Sequence, residues 1–422
     1  MTFRRKERDP VAVYLFLSGG YAFLFNLVIS VNLIFQVQEA HLSPFQLVLV
    51  GTVLEATIFL CEVPTGIVAD VFSRRRSVII GLVLVGTGLA LSGTWARFDT
   101  ILLGQMIWGC GYTFISGAKQ AWIADEAGPE NAPSVFLRST QVEQIMRIAA
   151  IPISVGIATI QLNLPMLIGG ALFLPLALVL YLSMSERGFR PTPAEKRNSF
   201  NTMTSTFTAG TRLVRQTPLL ITVFCIAAFY GMADEGCDRL WVKHFYDNLG
   251  FPGIGSFEPV VWLGVIRMGS SIMSIGVVEL VRRRLDTTSH KVVSRGLFVI
   301  NALQISSLIV FSLSDGYLLD MLAFWLAVVP SSAYNPLYQG WLNQNLDSRV
   351  RATVLSFSSQ VDSVGQMTGG PLIGAVGSLV SLRAALLTSA GILVPTLLLY
   401  VRAFRQGPVR RETAAKPVPA EE

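Results

Sequence analysis

Twelve apolar stretches, each close to the length needed to cross a bilayer, constrain this chain more than any other feature of its sequence. A hydrocarbon core of ~30 Å takes about 20 apolar residues as helix. Such windows fall at roughly 12–36, 46–70, 77–96, 99–122, 136–160, 164–184, 218–243, 259–281, 292–313, 316–339, 352–377 and 380–402. Gly and Pro recur inside them, which membrane helices tolerate better than soluble ones. Only 14% of the 422 residues are charged and 52% are hydrophobic, with a mean hydropathy of +0.54. Soluble domains carry about a quarter of their residues charged. An ordinary soluble enzyme, a disordered chain and a nucleic-acid-binding protein are thereby excluded. The expected fold class is an all-α membrane protein with twelve transmembrane helices.

The net charge of +6 is then a question of where the basic residues lie. With both termini taken as cytoplasmic, twenty-five of the 33 lysines and arginines fall on that side. They cluster at Arg4–Arg8, Arg74–Arg76, Arg187–Arg215, Arg282–Arg295, Arg349–Arg351 and Arg402–Lys416. Arg97, Lys243 and Arg383 fall outside. This asymmetry obeys the positive-inside rule and requires an even number of spans. The four cysteines lack metal-site spacing, and the three histidines, His41, His244 and His290, fall in or near expected loops. No metal site and no cofactor are expected.

One long polar connection, 185–217, separates six spans from six. The expected domains are a first six-helix bundle at 1–184, the linker 185–217, a second bundle at 218–404 and a tail at 405–422. An internal repeat supports the division. At a constant offset of 219, Gln120 and Trp122 match Gln339 and Trp341. Ser139, Gln141, Val142, Glu143 and Pro152 match Ser358, Gln360, Val361, Asp362 and Pro371. Arg74–Arg76 after span 2 are echoed by Arg282–Arg284 after span 8. The two bundles are therefore expected to be pseudo-symmetric.

Between spans 2 and 3 the chain reads Gly66-Ile-Val-Ala-Asp70-Val-Phe-Ser-Arg74-Arg75-Arg76. Gly66 would let span 2 approach a neighbour closely. Asp70 could accept hydrogen bonds from a helix N-terminus, that of span 11, and pair with the arginines, latching a cytoplasmic gate. This string resembles the loop 2–3 signature of the major facilitator superfamily. With twelve spans and a 6+6 repeat, the resemblance extends over nearly the whole chain. Glu62-Val-Pro64-Thr65-Gly66 and Ser116-Gly117-Ala118 with Asp125 further resemble drug exporters of the tetracycline and macrolide efflux type. Two features depart from those exporters. Gln105 precedes Gly109 where span 4 often carries Arg, and Pro152 lacks the glycines that often surround it. Those glycines occur instead in span 11, at Gly369, Gly370 and Gly374 around Pro371.

Seven acids lie within spans: Glu55, Glu62, Glu143, Asp234, Glu235, Asp238 and Asp362. Lys119, Arg138, Arg147, Arg239 and Arg267 lie there too. Facing lipid, these twelve charges would cost on the order of 30 kcal/mol, so they must face one another or a watery pathway. Glu55 and Glu62, seven apart, share one helical face. Glu143 with Arg147 and Glu235 with Arg239 are i, i+4 neighbours, suited equally to static ties or to function. Arg267 is the expected partner of Asp234 and Asp238. Proton-coupling candidates are thus Glu55, Glu62, Glu143, Asp234, Asp238 and Asp362, with Arg147, Arg239 and Arg267 as charge partners. Pro330 and Pro336 predict a bent span 10. Tyr334, Asn335 and Tyr338 there, with Asn26, Asn32, Gln141 and Gln360, are candidate cavity residues.

The resemblance implies a secondary transporter, a proton-coupled exporter of amphipathic drugs or metabolites working by alternating access. Import or uniport of sugars or small organic acids is the alternative. A membrane enzyme or receptor is disfavoured, since no nucleophile–base pair, metal set or phosphate loop is present. The expected partners are a small-molecule substrate, protons and the bilayer, with no nucleic acid, for a monomer in the inner (plasma) membrane of a bacterium.

Overall fold

The computed structural model describes residues 9–128, 130–191, 208, 218–249, 251, 257–286, 289–344 and 348–406. Most of the expected linker, the tail beyond 406 and the basic residues before Asp9 lie outside the described residues.

Among the described residues fourteen α-helices have defined bounds: α1 Pro10–Gln38, α2 Pro44–Val71, α3 Arg74–Thr94, α4 Phe98–Ile115, α5 Ala118–Ala127, α6 Ala132–Ala158 and α7 Leu164–Ser183. After the linker come α8 Pro218–His244, α9 Pro259–Arg284, α10 His290–Leu313, α11 Tyr317–Ser331, α12 Tyr334–Gln344, α13 Ser348–Leu379 and α14 Leu382–Gln406. A π-helical turn, Phe245–Leu249, extends α8. α4 with α5, and α11 with α12, each form one interrupted span, giving twelve spans in two six-helix bundles. Among the described residues, nine stretches are long and apolar enough by themselves to cross a membrane. The other three spans, α4–α5, α6 and α13, carry Lys119, the Arg138–Glu143–Arg147 series and Asp362 into the bundle.

Local chemistry sets the helix starts. Asp9 caps α1 by accepting from Val11 N–H, and Ser43 and Gln46 form a capping box on α2. Proline follows each cap, at a position where its missing donor is harmless. Ser73 caps α3 by accepting from Arg76 N–H, so Arg74–Arg76 form the first turn of a helix rather than the expected loop. Span 10 breaks after Pro330, as its prolines predict. Span 4 breaks at Gly117, whose φ of +71° is open to glycine and costly for other residues. Gly117→Ala is expected to destabilise the first bundle by about 1–3 kcal/mol, measurable as a lower unfolding free energy in bicelles.

Both repeat tryptophans are buried and bonded through the indole N–H. Trp122 donates to the Ser185 carbonyl and Trp341 to the His290 ring. Two of the histidines expected in or near loops stand at helix ends, His244 closing α8 and His290 opening α10. His244 and His290 are buried at helix ends, because each finds polar partners there: Asn248 and Asp320 for His244, Trp341 and the Ala403 carbonyl for His290.

Close approaches between the bundles gather at the end of the molecule opposite the chain termini. Phe45 N–H donates to Ser378 Oγ at 3.0 Å. Cβ atoms built on Gly374 and Gly377 of α13 would fall 3.0 Å from Phe45 Cα and 2.8 Å from Pro44 Cβ on α2. One built on Gly264 of α9 would fall 2.5 Å from Val155 of α6. At the termini end α2 is free of such contact, and Glu62 and Asp70 are exposed. Among the described residues the bundles meet on the far side and are apart on the termini side.

Candidate functional site

A cavity of about 750 Å³ opens between the bundles, with a second of about 350 Å³ beside it in the second bundle. The first is walled by α1, α2, α4–α5 and α6, and the second by α8 and α12. Both share Ser359, Asp362 and Gln366 on α13, so one helix forms the partition between them.

Charge is concentrated on these walls. Glu55, Glu62, Glu143 and Asp362 face the larger cavity with Lys119 and Arg147, and Asp234 faces the smaller one. Lys119 Nζ is 3.0 Å from Glu143 Oε1 and also donates to Ser18 Oγ at 3.1 Å. The expected Glu143–Arg147 pair is therefore replaced by a pair reaching across to α5. The unwound turn at Gly117 starts α5 where Lys119 can meet Glu143. Among the described residues no ion pair engages Glu55, Glu62, Asp234 or Asp362; Asp362 accepts instead from Gln366 Nε2 at 2.9 Å. Asp238 is exposed but outside both cavities; among the described residues Arg267 makes no ion pair within 4.0 Å with it or with Asp234, although the charges of Arg267 and Asp238 act on one another.

The Glu235–Arg239 pair forms as the spacing predicts, with Arg239 Nε 3.0 Å from Glu235 Oε2 and Glu235 only 5% exposed. Its position was not legible. The pair lies directly on the backbone of α2 at Gly51, where a Cβ would fall 2.5 Å from Arg239 Nε. Glycine is thus the residue that admits an ion pair of one bundle into the surface of the other, one turn from Glu55.

The aromatic walls are ordered by stacking. Tyr230 and Tyr334 lie parallel with centroids 4.1 Å apart, and Tyr334 stacks on Tyr338 at 5.6 Å. Tyr400 donates to the Tyr334 hydroxyl at 3.1 Å, and Tyr338 bonds Val223 O and Ser358 Oγ. Across the larger cavity, Tyr21 stacks on Phe25, which meets Trp108 edge-on at 5.6 Å. Gln105, the residue at which span 4 departs from the drug exporters it resembles, accepts from the Trp108 indole at 2.8 Å and so orients a cavity wall.

Of the other expected cavity residues, Asn26, Tyr334, Asn335 and Tyr338 line the cavities. Asn32 does not; it is buried within the first bundle, accepting from Gln36 at 3.1 Å. Gln141 and Gln360 also lie off the walls, because a turn of helix directs their neighbours Glu143, Ser359 and Asp362 inward instead. Lys119, Tyr230 and Gln366 were missed, as were Gln120 and Gln339 as lining residues. The last two are a matched pair in the repeat, a signal that could have found them.

Of the contacts expected for the Gly66–Arg76 motif, the pairing of Asp70 with an arginine is present, while a close approach at Gly66 is not. A Cβ on Gly66 would meet nothing within 4 Å, and Asp70 is exposed with Arg74 3.9 Å away. The reason is the parted termini side, which leaves this end of α2 without a neighbour. Arg74 also binds Asp125 and the Ala121 carbonyl. Arg75 donates to the Tyr181 carbonyl and, through its backbone N–H, to Glu186 at 3.0 Å. These two arginines tie α3 to α5 and α7 inside the first bundle, while Arg76 is exposed.

The family profile described as Major Facilitator Superfamily matches residues 13–361. A Bacillus subtilis (strain 168) protein, "Uncharacterized MFS-type transporter YxaM", is 21% identical over 366 residues, covering 84% of this chain and 86% of that one. A mutant of the nucleoside transporter NupG superposes with a TM-score of 0.77 at 14% identity, over 94% of this chain and 100% of that one. A bacterial homolog of the human lysosomal transporter Spinster, solved inward-facing and unoccupied, gives 0.71 at 14% identity, over 95% and 98%.

Proposed function

The chain belongs to the major facilitator superfamily, and from that premise we propose that it is a proton-coupled exporter of amphipathic organic molecules, preferentially cationic ones. One observation carries the reading: the cavity walls hold five carboxylates against two cations, and one of those cations is already spent on Glu143. Such a surface attracts a positive guest and disfavours an anion. The flat faces of Tyr230, Tyr334 and Tyr338, with Phe25 and Trp108 opposite, suit a guest with an aromatic body.

Proton coupling follows from the same groups. A carboxylate without a protein cation can hold either a proton or the guest's charge, so occupancy by one favours release of the other. Glu55, Glu62 and Asp362 are the coupling candidates on the large cavity, and Asp234 on the small one. The Gly66–Arg76 segment serves the termini-side gate, with Asp70, already paired with Arg74, reaching a helix of the second bundle only when that side closes. Both termini face the cytoplasm, the membrane is the bacterial inner membrane, the working unit is a monomer, and the parted side is the loading side for export.

Inverted vesicles containing the chain, given a proton gradient and ethidium as probe, test this. Wild type is expected to move ethidium together with a counter-flux of protons. Glu55→Gln or Glu62→Gln is expected to abolish the movement with expression intact. Unchanged transport in both variants removes these residues from coupling. Absence of probe-dependent proton flux in wild type rejects the exporter reading, and uptake in the opposite sense favours an importer.

A further inference from the structure

The two repeat tryptophans hold symmetry-related half-helices by the same indole N–H but with acceptors of different chemistry. Trp122 of α5 donates to a backbone carbonyl, that of Ser185, at 2.6 Å. Trp341 of α12 donates to an imidazole nitrogen, His290 Nδ1, at 3.0 Å. His290 Nε2 lies 3.2 Å from the Ala403 carbonyl on α14. A carbonyl only accepts, so Nε2 carries the hydrogen; an indole N–H only donates, so Nδ1 carries the lone pair. The tautomer is fixed by its two partners, and the ring is neutral. His290 is 8% exposed and Trp341 fully buried.

This arrangement joins the ends of three helices, α10, α12 and α14. Its reach extends along α12, since Trp341 packs on Tyr338 and Tyr400, and Tyr400 bonds Tyr334. Tyr334 and Tyr338, with Asn335 and Gln339, are the α12 wall of the smaller cavity. Adding a proton to Nδ1 sets two N–H donors against each other, and the Trp341 bond cannot survive it. No such event is open to Trp122, whose acceptor does not titrate. The charged neighbours of His290 in the chain are Lys291 and Arg295 on α10, with Arg402 and Arg405 flanking Ala403 on α14 and Asp286 preceding the helix. Around Trp341 the titratable groups are Tyr338 of α12 and Tyr400 of α14. Among the described residues no ion pair joins His290 to a carboxylate.

We propose that His290 is a positioning residue for transport, holding the cavity wall of α12 through Trp341 in its neutral form and releasing it on protonation. The second bundle would thereby carry a pH-dependent hold on its half-helix that the first bundle lacks. The idea is independent of which molecule is carried.

Hydrogen exchange of the full chain in nanodiscs, between about pH 8 and about pH 5 and corrected for intrinsic rates, tests it. Wild-type residues 334–344 are expected to lose protection about tenfold as the pH falls, since one buried hydrogen bond is lost. The α5 residues 118–127 are expected to show no step, serving as the internal control. His290→Gln can still accept from Trp341 and donate to Ala403, so it should stay protected with no step. Trp341→Phe should be weakly protected at every pH, again without a step. A step that persists in either variant, or its absence in wild type, overturns the proposal. If His290→Gln does not fold, Trp341→Phe decides alone.

Discussion

Arg239→Ala should be the most damaging single truncation in the second bundle, lowering stability by about 3–5 kcal/mol. Its guanidinium is the partner of Glu235, which is 5% exposed and pressed against the α2 backbone at Gly51. Removing the cation leaves a carboxylate buried at the seam between bundles with nothing to offset its charge. Unfolding in bicelles would measure the loss. Adding Glu235→Gln to Arg239→Ala should recover most of it, since the uncompensated charge is then gone. If the double variant is no more stable than Arg239→Ala alone, the pair is not what holds this seam.

Gly51→Leu should abolish turnover. A side chain at this position must occupy the space of Arg239 Nε, which lies 2.5 Å from where even a Cβ would fall. The closed far side depends on that space, so the variant should remain open there and fail to cycle. Cysteine pairs at Phe45 and Ser378, now joined by a hydrogen bond of 3.0 Å, report the gate directly. Oxidative cross-linking should be efficient in the parent and nearly absent with Gly51→Leu. Efficient cross-linking in the variant would mean the seam closes without the notch. Gly66→Leu is a useful contrast, because a Cβ there has open space within 4 Å in this conformation.

The length of the apolar runs carries the count of spans, the matched residues at an offset of 219 carry the repeat, and Pro330 carries the bend, because each is written directly in the chain. Glu235–Arg239 was legible for the same reason, being one helical turn apart. Glu143 was not, since its partner Lys119 comes from another helix whose approach depends on the break at Gly117. No proline marks that break, and a lone glycine in an apolar run gives no direction. Gly51 likewise reads as an ordinary small residue until the neighbouring bundle is in place. Gly66 and Asp70 differ in kind. Under the alternating access proposed above, their expected approach to the second bundle belongs to the opposite conformation, with the termini side closed.

α13 offers three different surfaces to three different tasks. Gly365 and Gly369 seat it against α8, Gly370 and Gly374 seat it against α2, and Ser359, Asp362 and Gln366 face the cavities. Almost no position along its middle is at liberty to drift. A lineage acquiring a new cargo would find its variation elsewhere, on α1, α4 and α12, whose cavity residues are not bound to both seams at once. Close homologues with different substrates should therefore diverge on those helices while the small residues of α13 stay fixed, and laboratory selection for altered cargo should leave α13 nearly untouched.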